Sequence, residues 1–335
     1  MKPEPGSISR DPRAQHDREH GPTDTAGSLE PELVHVGLDL GGSAIKAGAI
    51  SADGRIVARR SVAVEPGKGT AAVLDDLAGL ARELGATYRV GLGSPGIFDR
   101  ERGVVLASPN LRFLEGVALR RELAARLSIP DDRVVLENDA NCAALGEHWR
   151  GAGRGEPDFL MLTLGTGVGG GLILSGALYA GPGGMAGEAG HVVIEPTGPA
   201  CGCGSRGCLE TLASASAAHR RATAAGLPPG KPGDLELLAE IARRSPGPER
   251  DLLVDVGRDL GHGLAVFVTL LDLRLFVIGG GFGAALDVLD EGIRRGLRER
   301  SYGRRLDDVR WISAELGADA GWIGAARLTL SSPDR

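Results

Sequence analysis

The stretch LVHVGLDLGGSAIKAGAI, residues 33–50, contains two apolar runs separated by the small residues Gly41-Gly42-Ser43. Short apolar runs bounded by turn residues are typical of buried strands, so this stretch predicts a β-hairpin. A similar stretch, FLMLTLGTGVGGGLIL, begins at Phe159 and has its own Gly-rich turn in the corresponding place. The two hairpins predict two related lobes whose turns face a common cleft.

Outside these hairpins, strand-like and helix-like segments alternate, which favours an α/β fold. The helix-like run from about Thr70 to Leu84 places its apolar residues on one face, namely Val73, Leu74, Leu77, Leu80, Ala81 and Leu84. We expect further strands near residues 55–64, 89–92, 133–136, 275–278 and 309–316, and helices near 70–84, 117–127, 139–149, 214–225, 235–243, 249–271, 284–300 and 321–330.

The composition limits the classes of function. The chain has 335 residues, a net charge of −6 and 53 glycines, so many tight turns are expected and long-range attraction to nucleic acid or an anionic membrane is not. No apolar run reaches the roughly 18 residues of a membrane span. Residues 1–32 are polar, lack the apolar segment of a secretory signal, and predict a disordered tail. We expect a cytoplasmic protein.

Two Gly-rich turns have the chemistry of phosphate sites. In Asp39-Leu-Gly-Gly-Ser43, glycines after a buried strand let backbone N–H groups approach a phosphate, and a carboxylate at the strand end can hold Mg²⁺. Ser43 can donate a hydrogen bond, and Lys46 follows on the next strand. An ordinary hairpin turn with an Asp cap is the alternative. A second such turn in the corresponding place favours nucleotide binding over this alternative. The residues that we assign to the first turn are Asp39, Gly41, Gly42, Ser43 and Lys46.

The second turn lies in Gly165-Thr-Gly-Val-Gly-Gly-Gly171. A strand-like run follows it, so it is neither a dinucleotide fingerprint nor a P-loop, and a phosphate-facing hairpin turn fits better, with Thr166 as a donor beside Gly167. A third segment, Gly279-Gly280-Gly281, joins a strand to a helix. Gly at these positions would let an adenine ring lie against the backbone, although a plain strand-to-helix turn is an equal alternative.

Asp139 is the candidate base. It lies in Glu137-Asn-Asp-Ala-Asn141, where a strand ends and a helix begins, the edge at which open α/β sheets bind ligands. A hydroxyl that attacks a phosphoryl group needs a carboxylate to accept its proton. The alternative role is that of a helix N-cap, and Asn138 and Asp139 could divide the two roles.

His191, Cys201, Cys203 and Cys208 form the pattern H-x₉-C-x-C-x₄-C with glycines between them. Three thiolates and one imidazole are a closed tetrahedral set typical of structural Zn²⁺, whereas four unrelated loop residues are the alternative. A zinc ion here would hold Glu188 and Glu210 in fixed places, where two carboxylates could bind sugar hydroxyls. Cys142 is expected in the core.

Taken in order, these motifs resemble the ROK family of repressors and sugar kinases from about Val34 to Leu330. The resemblance implies an actin-like ATPase fold of ribonuclease-H-like halves, with two lobes around a central cleft. We expect a small lobe of residues 33–149 plus 319–335 that contains the catalytic Asp. Residues 150–318 are then the large lobe, with the zinc site and the nucleotide-binding turns.

The resemblance also implies site residues. Asp139 matches the catalytic base, and His191 would bind zinc through one ring nitrogen and face the sugar with the other. Two features depart from the family: Ser43 and Ala44 stand where most relatives have Thr and often Lys, and the polar tail is unusual for the kinases. The residues that match sugar contacts are Gly96, Asn110, Asn138, Glu188, His191 and Glu210.

The implied function is ATP-dependent phosphorylation of a hexose, with glucose at its 6-hydroxyl as the expected substrate and Mg²⁺ and structural Zn²⁺ as cofactors. Kinases of N-acetylglucosamine, N-acetylmannosamine or fructose share these motifs and remain alternatives. A sugar-sensing ROK regulator would need a DNA-reading helix-turn-helix, which residues 1–32 do not resemble. A silent sugar-binding relative would have no need of Asp139. The family also implies a homodimer or homotetramer.

Overall fold

The computed structural model describes residues 33–86, 88–108, 110–228, 235–302 and 306–330, which belong to one compact unit spanning 33–335. The predicted tail, residues 1–32, lies outside the described residues. The strands are β1 (Val34–Leu40), β2 (Ala44–Ser51), β3 (Ile56–Ala63), β4 (Val90–Ser94), β5 (Ile97–Asp99), β6 (Val104–Ala107), β7 (Val134–Asn138), β8 (Phe159–Leu164), β9 (Val168–Leu174), β10 (Ala177–Leu178), β11 (Leu275–Gly279) and β12 (Arg310–Ser313).

The α-helices of the described residues lie among these strands, singly except for a run of four before β11, as expected for an α/β fold. They are α1 (Gly69–Glu83), α2 (Leu119–Leu127), α3 (Asp139–Arg150), α4 (Leu209–Ala213), α5 (Ala215–Ala224), α6 (Glu236–Arg244), α7 (Pro248–Leu271), α8 (Leu286–Arg300) and α9 (Ala320–Leu328). None of them is both long enough and apolar enough to span a membrane.

Two five-stranded sheets have the same topology. The first has the order β3-β2-β1-β4-β7 and the second the order β10-β9-β8-β11-β12. In each sheet the opening hairpin is antiparallel and the following strands are parallel to its first strand. The prediction of two related lobes, each opening with a hairpin, is therefore confirmed by the pairing pattern. The residue boundaries of the lobes stay a prediction.

Helices α3 and α9 connect the two sheets. Helix α3 follows β7 of the first sheet and packs on β8 and β9 of the second, whereas α9 follows β12 and packs on β1 and β4. The two helices also pack on each other at glycines: a Cβ on Gly324 would lie 1.6 Å from the Cys142 carbonyl oxygen, and a Cβ on Gly146 would lie 2.3 Å from that of Ala320. This contact brings the amino-terminal ends of both helices to the carboxyl ends of the first-sheet strands.

The predicted strand near residues 309–316 is shorter in the structure. β12 ends at Ser313, and Ala314 N still donates to Ile278 O of β11 at 2.9 Å. The following N–H groups, of Glu315 and Leu316, donate instead to the Glu147 carboxylate at 3.2 and 2.8 Å. The prediction of a strand through Leu316 was therefore wrong at its carboxyl end. The Glu147 side chain, distant in sequence, takes the place of the neighbouring strand as the hydrogen-bond acceptor. The apolar pattern of residues 309–316 alone does not reveal this contact.

Candidate active site

Asn138 and Asp139 take different roles at the start of α3. The Asn138 side chain is the helix cap and accepts hydrogen bonds from the backbone N–H groups of Ala140 and Asn141 at 2.8 and 3.2 Å. Asp139 is the first helical residue. Burial raises the pKa of its carboxyl above the usual range, and hydrogen bonds from Ala140 and Asn138 oppose that shift. The cap leaves the Asp139 carboxylate available for chemistry, with enhanced basicity.

Asp39 lies beside Asp139 at the end of β1. Burial and then the charge of Asp139 raise the pKa of Asp39 to about 7, while Lys46, its cross-strand neighbour, acts in the opposite direction. The carboxylate also faces the start of α9, since a Cβ on Gly321 would lie 2.5 Å from Asp39 Oδ2. Two close, half-buried carboxylates with one ammonium nearby form a site that a divalent cation would stabilise.

The first Gly-rich turn is closed by a hydrogen bond from Gly41 N to Ala44 O at 2.9 Å. Gly42 and Ser43 are exposed at its tip, and a Cβ on Gly42 would meet no other atom within 4 Å. The structure thus places an open backbone surface and one hydroxyl directly after Asp39. These are the groups expected of a turn that receives phosphate oxygens.

The second turn, with Thr166 exposed at its tip, connects β8 to β9. Glu210 Oε2 accepts a hydrogen bond from Val168 N at 3.1 Å, and a Cβ on Gly167 would lie 2.2 Å from the same oxygen. Strand β9 also touches α3, because a Cβ on Gly171 would lie 2.8 Å from Ala140 O. The turn is therefore tied to Glu210 on one side and lies near the helix that begins at Asp139.

The third turn adjoins the second. Gly280 has a positive φ of 81°, and a Cβ there would lie 2.3 Å from the carbonyl oxygen of Leu164, the last residue of β8. Next to it is a cavity of about 280 Å³ lined by Gly281, Phe282, Ala239 and the Arg243 side chain, among others. Arg243 is fixed by hydrogen bonds of 2.7 Å to Ala284 O and to both Asp287 carboxylate oxygens. The sequence identified the glycines but missed Ala239 and Arg243, which come from a separate helix, α6.

Arg100 and Glu137 are site residues that sequence reasoning missed. One terminal nitrogen of Arg100 donates to both oxygens of the buried Glu137 carboxylate, at 2.6 and 2.8 Å. Glu137 Oε1 also accepts from Asn138 N at 2.8 Å and from the Asn141 side chain at 3.0 Å. Glu137 thus holds Asn138, directly before Asp139, and Asn141, two residues after it. It was visible within the motif, whereas nothing in the sequence marks Arg100, which lies directly after β5.

Two predicted sugar contacts lie on loops of the first lobe. Gly96 has a positive φ of 129°, and its carbonyl oxygen lies 3.4 Å from the Asn138 side-chain nitrogen. Asn110 is exposed on the loop after Ser108 and follows Pro109, which is outside the described residues. The structure brings Gly96 to Asn138. A place for Asn110 in the site stays a prediction.

His191, Cys201, Cys203 and Cys208 come together, with their ligand atoms all within 4.8 Å of one another. His191 Nδ1 lies 3.7 Å from Cys201 Sγ, and Cys203 Sγ lies 3.7 Å from Cys208 Sγ. A tetrahedron with metal–sulfur bonds of about 2.3 Å has edges of about 3.8 Å. The donor set and its spacing therefore fit Zn²⁺.

The thiols are poised for a cation. Burial and then the neighbouring sulfurs raise the pKa of Cys208 to about 12, and burial raises that of Cys201. A hydrogen bond from the backbone N–H of Ser205 lowers the pKa of Cys203. The thiols of Cys201 and Cys208, whose pKa values are raised, would lose their protons when a metal ion binds.

Glu188 and Glu210 flank this cluster. Burial raises the pKa of Glu188, the charges of Asp139 and Glu210 raise it further, and His191 opposes the shift. The residues expected to bind sugar therefore share one electrostatic environment with the expected base. Glu210 lies only two residues after Cys208, on α4, so a metal held by the thiols would fix its backbone.

Comparisons with known proteins agree on one family. The ROK family model matches residues 35–332. A glucokinase from Thermotoga maritima is 38% identical over 320 residues, covering 89% of this chain and 98% of the relative. A ROK hexokinase from Thermus thermophilus has a TM-score of 0.75 and 37% identity, over 89% of this chain and 97% of that one.

A ROK family glucokinase from Streptomyces griseus, solved with glucose and AMPPNP, has a TM-score of 0.73 and 34% identity, over 88% of this chain and 98% of that one. Together with the matching sheets, these neighbours confirm the expected actin-like ATPase fold.

Proposed function

This chain belongs to the ROK family, and on that premise we propose that it transfers the γ-phosphate of ATP to a hexose, with glucose as the preferred substrate. Relatives 34–38% identical over most of the chain are glucokinases. The observation that carries the proposal is the division of labour at the start of α3. Asn138 caps the helix, and Asp139 is left as a half-buried carboxylate of raised pKa beside Asp39.

The reaction follows from these positions. The sugar 6-hydroxyl oxygen forms a bond to the γ-phosphorus as the bond from that phosphorus to the β,γ-bridging oxygen breaks, and ADP leaves. The hydroxyl proton passes to the Asp139 carboxylate. Because phosphoryl transfer depends mainly on positioning and charge, the residues of the two turns, with Lys46 and Thr166 as donors, would hold the phosphates in line with the hydroxyl.

Asp39 fits Mg²⁺, since its half-buried carboxylate lies next to that of Asp139, near the end of β1 and shortly before the first turn. Mg²⁺ bound there would offset the charge of the phosphates. The raised pKa of Asp39 is the mark of a carboxylate that lacks a cationic partner of sufficient strength, because Lys46 only partly offsets the burial and the charge of Asp139.

Zn²⁺ held by His191 and the three thiols would serve as a structural tie with no open position for a catalytic water. With Nδ1 directed at the cluster, His191 Nε2 would be the nitrogen available to the sugar, and its tautomer would be fixed. Glu188 and Glu210 would accept hydrogen bonds from sugar hydroxyls, and Gly96, Asn110 and Asn138 would complete the sugar site.

The cavity beside Gly279, Gly280 and Gly281 is the proposed adenine site. Its lining of Phe282 and Ala239 with one anchored guanidinium, that of Arg243, suits a flat aromatic base with polar edges. We place the lobe boundaries at 149/150 and 318/319, so that the cleft between the lobes receives both substrates. A homodimer or homotetramer in the cytoplasm, where ATP is available, completes the proposal.

The test is a coupled ADP-release assay with ATP against a panel of glucose, fructose, N-acetylglucosamine and N-acetylmannosamine. We expect the highest kcat/KM with glucose and a product phosphorylated at the 6-position. If the protein preferred an N-acetylhexosamine, the proposed substrate would be wrong, and the proposed reaction, ATP-dependent sugar phosphorylation, would stand. The proposal is wrong if none of the four sugars accelerates ADP release.

A further inference from the structure

Glu147 is a carboxylate with no exposed surface, near the end of α3. Its Oε2 accepts hydrogen bonds from Ala152 N at 2.7 Å and from Glu315 N at 3.2 Å, and its Oε1 accepts one from Leu316 N at 2.8 Å. Within the described residues, the Glu147 carboxylate is bound by these three backbone N–H groups and forms no ion pair. Three donors are what a buried carboxylate needs to offset its desolvation.

The donors belong to the two segments that join the halves of the molecule. We call residues 151–158, between α3 and β8, the first crossover, and residues 314–319, between β12 and α9, the second crossover. Ala152 lies in the first, and Glu315 and Leu316 lie in the second. One side chain therefore fastens both connections at a single point.

The surroundings are shaped for this contact. A Cβ on Gly151 would lie 2.0 Å from Glu147 Oε2, so a larger residue there would displace the carboxylate. On its other side the second crossover borders a cavity of about 280 Å³ lined by Leu316, Ile323 and Arg150, among others. The crossover is thus not fully packed on that side. Its ends are held by the bond from Ala314 N to Ile278 O at 2.9 Å and by Asp319, which accepts from Arg59 and Trp322, whereas Glu147 holds its middle.

Both fastened segments lead to the chemistry. Helix α3 begins at Asp139, eight residues or roughly 12 Å before Glu147 along the helix axis. The second crossover leads into α9, whose Gly321 touches the Asp39 carboxylate. Since α3 and α9 pack backbone to backbone at Gly146 and Gly324, the fastening sets how the two helices meet, and hence how Asp39 lies relative to Asp139.

We propose that Glu147 is a positioning residue for phosphoryl transfer. By binding the two crossovers to α3, it fixes the position of the expected metal-binding residue, Asp39, relative to the expected base, Asp139. It makes no contact with either substrate in this scheme. The inference rests on the proposed kinase function, but the tie itself can be measured without activity.

The experiment compares Glu147→Gln with Glu299→Gln. In Glu147→Gln, the new side-chain amide would turn its own N–H toward at least one backbone N–H and break part of the tie. Glu299 is the matched control: it also accepts three hydrogen bonds, from Arg258, His262 and Arg295, but it joins α7 to α8, away from both crossovers. Hydrogen exchange is followed at residues 151–153 and 314–317, alongside melting temperature, kcat and sugar KM.

For Glu147→Gln we expect loss of exchange protection at both crossovers and a fall in kcat of at least about tenfold, with the sugar KM changed by less than about threefold, because misplacement of reacting groups costs turnover more than binding. Glu299→Gln should lower the melting temperature and leave kcat and the crossover amides unchanged. If Glu147→Gln fails to fold, Gly151→Ala, which pushes on the same carboxylate, should show the same pattern.

Retained kcat in a variant whose crossover protection is lost would overturn the positioning role. Unchanged protection at both crossovers would show that the tie does not exist. If the wild-type protein has no kinase activity, the proposed function fails, and the exchange data still decide whether Glu147 joins the crossovers.

Discussion

Asn138 and Asp139 show how two similar neighbours acquire different roles. The backbone places Asn138 at the cap, where its oxygen accepts from two N–H groups, and Asp139 inside the first turn. The sequence indicated that the two roles could be divided, but the choice between them depends on which residue begins the helix. If α3 began one residue earlier, the amide of Asn138 would occupy the position that the Asp139 carboxylate has now.

The pH dependence of turnover tests the environment of Asp139. The base must be ionised, and burial raises its pKa above the ordinary Asp value of 3.8, so kcat/KM should fall on the acid side with a midpoint above that value. Asp39 titrates as well, but added Mg²⁺ competes with its proton. Raising Mg²⁺ should therefore move the Asp39 step to lower pH and, because the two carboxylates interact, move the Asp139 step in the same direction by less. An acid limb at an ordinary Asp pKa at every Mg²⁺ concentration would contradict the assignment.

In the absence of Mg²⁺, ionised Asp39 should lower the free energy of unfolding. Its folded pKa of about 7 exceeds the ordinary Asp value of 3.8, so the folded state favours the protonated acid. Its contribution to stability is then greatest below about pH 4 and declines as the pH rises toward 7. Asp39→Asn removes this decline, and its advantage in unfolding free energy should grow across that window to about 4 kcal/mol, since each unit of pKa shift is worth roughly 1.4 kcal/mol. Thermal melts of metal-free protein at pH 4, 6 and 8 measure it, and an equal difference at all three would refute the prediction.

At the scale of elements, the metal-ligand cluster in the Cys-rich loop between His191 and α4 was the feature that the sequence predicted best. Ligand types and spacing sufficed to predict a cluster, and the structure brings all four residues together. The sequence could not show that Glu210 also accepts a hydrogen bond from the β8–β9 turn. That bond links the expected sugar site to the expected phosphate site.

Purified protein should contain about one zinc atom per chain by elemental analysis. Cys208→Ser should lose the metal, lower the melting temperature and raise the sugar KM by about tenfold or more, in line with the usual cost of disturbing a metal site. Cys142→Ala is the control, because Cys142 is a buried residue of α3 outside the cluster, and it should keep its zinc. Metal-free protein with normal sugar affinity would contradict the structural role.

The turn after β11 gives a second test at this scale. Gly280→Ala would strain a backbone with φ of 81° and bring a Cβ to 2.3 Å from Leu164 O, so the ATP KM should rise several-fold with little change in sugar affinity. Gly283→Ala is the matched control, since its Cβ would come no closer than 3.3 Å to other atoms. Equal ATP affinity in both variants would remove this turn from the nucleotide site.

For the whole molecule, repeated patterns were predictable and single long-range contacts were not. The two Gly-turn hairpins predicted two matching sheets, and the sequence predicted every strand of these sheets except β10, but it did not predict the β5–β6 hairpin. By contrast, Arg100 reaches Glu137 across 37 residues, and Glu147 reaches Leu316 across 169. Such pairs have no local signature, because each partner is held by a different element. The early end of β12 has the same origin.

The central claim is that this ROK chain phosphorylates a hexose with Asp139 as the base. The most direct measurement is ATP-dependent glucose phosphorylation by wild-type protein and Asp139→Asn, with glucose binding measured separately by calorimetry. We predict that kcat falls by roughly 10²–10⁴-fold, the usual contribution of a general base, while the glucose Kd changes by less than about threefold. Near-normal turnover by Asp139→Asn would contradict the account.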